Sequence, residues 1–73
     1  MTSPYMTIVA EGDRDMITYH ETAEKAVLAA GIQEWDRALP TLAVNRLAIG
    51  DEINITPYSS IILLTGKVTK YHE

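Results

Sequence analysis

A chain of 73 residues without a single cysteine has few ways to hold itself together. Disulfides are excluded, and so is a thiolate metal site. A domain of ~60 residues buries only about 60% of the surface its unfolded chain exposes, and small natural scaffolds commonly add a staple. What remains is an apolar core, sufficient alone or completed by another copy or by a target. Hydrophobic residues make up 47% of the chain, which is ordinary for a globular domain and argues against disorder. The length implies one domain, residues 1–73.

Charge and hydropathy remove several function classes. The formal net charge is −4. Residues 1–36 hold seven acids and two bases, a net of −5; residues 37–73 hold three acids and four bases, a net of +1. Direct nucleic-acid binding needs a concentrated basic surface, and the bases here are few and outnumbered. The longest pure aliphatic run, Ile61 to Leu64, is far short of the ~20 residues that span a bilayer, so no membrane partner is expected. The segment Met1 to Tyr5 has neither the basic nor the apolar region of a secretion signal. With the absence of cysteine this gives an expectation of a cytoplasmic protein.

Local patterns predict a small α+β domain, a sheet of three to four antiparallel strands with one short helix on one face. Tyr5 to Ala10 is rich in β-formers and reads as a strand. Glu11-Gly12-Asp13-Arg14 suits a hairpin loop, and Asp15 to His20 returns, with Ile17 and Tyr19 on one face and Met16, Thr18 and His20 on the other. Thr22 is a good helix N-cap. Ala23, Ala26, Val27 and Ala30 then mark one helical face, and Gly31 is a natural end. Pro40 interrupts the next stretch, and Thr41 to Ala48 reads as strand or irregular structure, with a short helix capped by Thr41 as the alternative. Glu52 to Thr56 alternates with Ile53 and Ile55 inward, Pro57 to Ser60 makes a turn, and Ile61 to Leu64 belongs in the sheet centre. Gly66 suits a bend, with Val68 to Tyr71 extending that strand. The predicted order is β-β-α-x-β-β.

Nothing in this pattern assembles a catalytic, cofactor or metal site. His20 and His72 lie near opposite ends, and a metal needs three or four converging ligands. The carboxylate pairs Asp13/Asp15, Glu34/Asp36 and Asp51/Glu52 fall in loops and turns, whereas acid–base chemistry needs two carboxylates in contrasting environments within one cleft. Ser59 and Ser60 lack a nucleophile elbow, and the four glycines are isolated, so no phosphate loop exists. The remaining candidates are partner-binding ones. Trp35 either closes the small core or anchors a contact. With Arg37, Tyr58 and Tyr71 it belongs to the residue types that dominate interface hot spots. Glu11, Asp13 and Asp15 form an acidic hairpin that suits a basic partner or serves solubility.

Two resemblances sharpen this reading. The stretch Ala38-Leu39-Pro40-Thr41-Leu42, followed by Arg46-Leu47-Ala48-Ile49-Gly50-Asp51-Glu52-Ile53-Asn54-Ile55 and the apolar run to Leu64, resembles the swapped-hairpin antitoxin and transition-regulator family. That resemblance implies an intertwined dimer binding DNA or a toxin, through Arg37 and Arg46. The whole-chain order of hairpin, then Thr22-Ala23-Glu24-Lys25-Ala26 opening an alanine-rich helix, then a second hairpin, is similar to small phage-encoded inhibitors, including anti-CRISPR proteins. It implies a protein that occupies a working surface of a host complex. The expected function is therefore non-enzymatic binding to a host protein or nucleoprotein complex, by a phage or mobile-element inhibitor. The alternatives are the regulator-like dimer and a self-assembling subunit that uses Ile61 to Tyr71 as a pairing edge.

Overall fold

The computed structural model describes residues 3–65. Strand β1 (Tyr5–Glu11) and strand β2 (Arg14–His20) form an antiparallel hairpin. Gly12 makes its two-residue loop possible with a φ of +61°, the glycine-first turn that matches strand twist.

Helix α1 (Ala23–Ala29) follows at once, and the Thr22 hydroxyl accepts from the Lys25 N–H at 3.2 Å. All four residues of the predicted stripe, Ala23, Ala26, Val27 and Ala30, are buried. Because three of them are alanines, the helix backbone lies within reach of sheet side chains. The Thr7 hydroxyl donates to the Ala26 carbonyl at 3.0 Å, and the Ser59 hydroxyl donates to the Ala30 carbonyl at 3.1 Å. Gly31, at φ +91°, ends the helix as expected.

Thr41 to Ala48, expected to be strand or irregular with a short helix as the alternative, lies largely in a second helix, α2 (Ala38–Asn45), which a 3-10 turn (Glu34–Asp36) precedes. Pro40 falls in the first turn of α2, where its missing N–H would have had no partner inside the helix. Thr41 is not the cap: its N–H already bonds to the Arg37 carbonyl at 2.9 Å. The inward residues Pro40, Thr41, Val44 and Leu47 recur at helical spacing. The alternation of Leu42 and Val44, which favoured a strand, leaves Leu42 exposed and Val44 buried.

Strands β3 (Glu52–Thr56) and β4 (Ser59–Leu63) complete a four-stranded sheet of order β2-β1-β4-β3, antiparallel throughout. The turn before β4 is shorter than expected. The Thr56 hydroxyl accepts from the Tyr58 N–H at 3.1 Å and bonds Ser59 Oγ at 2.7 Å, so Ser59 and Ser60 are buried strand residues. β4 is central, as predicted, and hydrogen-bonded on both sides. The Ile61–Leu63 part of the proposed pairing edge is thereby ruled out as an edge. The rest of that proposal, the Gly66 bend and the strand from Val68 to Tyr71 lie outside the described residues. Tyr5, Val27, Val44, Ile61 and Leu63 form the large part of the core. Both helices share one face of the sheet.

Candidate functional site

The register assigns every strand residue to a face. Tyr5, Thr7, Ile61 and Leu63 point to the helices. The opposite face carries two rows that run across the sheet: Tyr19, Met6, Ile62 and Glu52 in one, Ile17, Ile8, Ser60 and Asn54 in the next. No element among the described residues lies over this face. Tyr19 is 58% exposed and Ile17 49%. Each row starts apolar on the β2 edge and ends polar on β3, so the face has an exposed apolar side on β2 and β1 that borders a polar one. Sequence reasoning placed Ile17 and Tyr19 together but did not single out this face. The signal was available: β1 and β4 are apolar on both sides, while the sequence offers helices for only one.

The structure brings together several of the predicted partner-binding residues. The Ala10 N–H bonds to the Tyr58 carbonyl at 2.7 Å, so the β3–β4 turn stands beside the acidic hairpin. Glu11, Asp13 and Asp15 are all exposed there. Tyr58 is 70% exposed and borders a shallow depression of about 180 Å³ lined also by Ile8, Ala10, Asn54 and Pro57. Helix α1 ends at the same end of the sheet, at the Ser59–Ala30 bond. The 3-10 turn follows with Glu34, Trp35 and Asp36. Trp35 is 79% exposed, which decides against its closing the core. The end of the sheet at the β1–β2 loop, the acidic pole, combines the three hairpin carboxylates with the exposed ring of Tyr58.

Arg37 has a different setting. Its Nε donates to the Ile32 carbonyl at 2.7 Å and the residue is half-buried, so it latches the 3-10 turn closed. Tyr71 lies outside the described residues. His20, at the opposite end of β2, pairs through Nε2 with the Thr18 hydroxyl at 2.7 Å. Burial, and then the nearby Lys25 charge, hold its pKa below the usual histidine value. Among the described residues no three histidine, aspartate or glutamate side chains converge as metal ligands, and no helix is long and apolar enough to cross a membrane. No protein-family model matches this chain, and comparison with curated proteins and with solved structures finds no match.

Proposed function

We propose that this protein works without catalysis, as an inhibitor that occupies a surface of a host protein or nucleoprotein complex. The observation that carries the reading is the sheet face with apolar residues on β2 and β1, over which no described element lies, beside the acidic pole. Apolar area beside charge fits a protein target whose own contact surface is basic at one side. Phage or mobile-element origin enters through the resemblance in element order.

The test starts with capture of a host protein on the tagged chain, with and without nuclease, followed by titration of the isolated pair. The expected result is a stoichiometric protein that survives nuclease. Tyr58→Ala, and separately the charge reversal Glu11→Lys, Asp13→Lys, Asp15→Lys, should each weaken it by about tenfold or more. Unchanged affinity in both variants removes the pole from the contact. Recovery that nuclease abolishes, together with salt-sensitive DNA binding by the pure protein, replaces this reading with the regulator-like one.

A further inference from the structure

The two edges of this sheet are built differently. β3 has five residues, an irregular register between Asn54 and Thr56, and Pro57 directly after it. These are devices that protect an edge from pairing. β2 has seven residues, no proline or glycine, and an unbroken register along β1. Its two permanently charged residues, Arg14 and Asp15, are confined to the hairpin end, and Arg14 to Tyr19 are all exposed.

The hairpin also determines which backbone groups of β2 are free. A two-residue loop makes Glu11 and Arg14 a hydrogen-bonded pair. Bonded pairs then recur at Val9/Met16, Thr7/Thr18 and Tyr5/His20. Asp15, Ile17 and Tyr19 therefore turn their N–H and C=O groups away from β1, towards the edge that no other described strand pairs with.

We propose that β2 pairs antiparallel with β2 of a second copy, about a two-fold axis through Ile17. In that register Ile17 faces the partner's Ile17, Asp15 the partner's Tyr19, Met16 the partner's Thr18, and Arg14 the partner's His20. All seven residues of each strand are matched, no two carboxylates oppose, and the outward groups of Asp15, Ile17 and Tyr19 meet their counterparts. Asp13 and Glu21, the next positions out, lie beyond both strands. Moving the axis to Thr18 sets Asp15 against the partner's Glu21. Moving it to Met16 sets the hairpin tip, Gly12 and Asp13, against the partner's His20 and Tyr19. The product is an eight-stranded sheet with both helical layers on one face and the apolar opposite face doubled. This inference does not rest on the inhibitor reading.

A strand-to-strand contact of this length belongs to the small interfaces, below ~1,200 Å² in total, so a weak dimer whose population rises with concentration is expected. Sedimentation equilibrium from about 10 µM to about 1 mM should show a monomer–dimer equilibrium. Ile17→Lys places two ammonium groups at the axis and should weaken the dimer by about 100-fold. Ile17 is half-exposed in the monomer, so that variant keeps its fold, which circular dichroism checks. Mixing Ile17→Lys with Ile17→Glu should restore dimers. Amide exchange at Asp15, Ile17 and Tyr19 should slow as concentration rises, while Met16 and Thr18 stay constant. A monomer throughout the range overturns the proposal. So does a dimer that Ile17→Lys leaves intact, or one whose protection appears away from β2.

Discussion

Thr7 and Ser59 show how a core this small tolerates hydroxyls. Each donates its hydrogen to an α1 carbonyl, one helical turn apart, so neither burial leaves a polar group unsatisfied. The bonds also fix the helix along the sheet, because sliding it by one residue would break both. At the other end of β1, two titratable side chains make stability depend on pH. Burial, with Lys25 second, lowers the pKa of His20 from 6.5. Below that value the unfolded chain takes up the proton before the native state does, so stability present above pH 6.5 is lost as pH falls through the native pKa. Burial, with the Glu24 charge second, raises the pKa of Tyr5 from 10.0. Its contribution is present below pH 10 and is lost as pH rises through the native value. Urea denaturation should therefore give lower midpoints both at about pH 5.5 and above about pH 10 than at pH 7.5. His20→Gln should flatten the acid limb and leave the alkaline limb in place.

Helix α2 is the element that tests how packing sorts residues of similar hydrophobicity. Val44 is fully buried, while Leu39, five positions earlier, is 78% exposed. Val44→Ala should cost about 2 kcal/mol and Leu39→Ala no more than about 0.5 kcal/mol, read from denaturant midpoints at unchanged slope. The same helix marks where sequence reasoning stopped. The hairpin, the Thr22 cap, the Gly31 stop and the inward Ile53 and Ile55 were legible, because each is set by neighbours along the chain. α2 was not, because Pro40 is compatible with a first helical turn as well as with a break, and the contact that decides between them is Val44 meeting α1 and the sheet. Ser59 and Ser60 misled for a related reason. Their composition reads as a turn, but a buried position on β4 and a bond to Ala30 depend on residues far away in the chain. The candidate site divides the same way. The acidic hairpin and an exposed Tyr58 were readable separately, whereas their meeting requires the pairing of β1 with β4.

At the scale of the whole molecule the two ends of the sheet have different characters. One end holds the acidic hairpin, Tyr58 and the end of α1. The other holds the start of β1 and the finish of β4, where the Leu64 N–H bonds to the Pro4 carbonyl at 2.7 Å. The entry and exit of the described chain thus lie side by side, away from the acidic pole. The molecule comes with a built-in handle. Attached to a sensor surface or a fusion partner through either residue 3 or residue 65, it should hold out the same working end and give the same affinity for its target. A short peptide inserted between Gly12 and Asp13 should block that end while leaving the melting temperature within a few degrees, about what a change of ~1 kcal/mol produces. If the two attachment points present the target with different affinities, the contact extends to the Pro4–Leu64 end. If they agree, residues 3 and 65 can be joined by a linker and the chain reopened elsewhere, turning the handle into a loop without disturbing the grip.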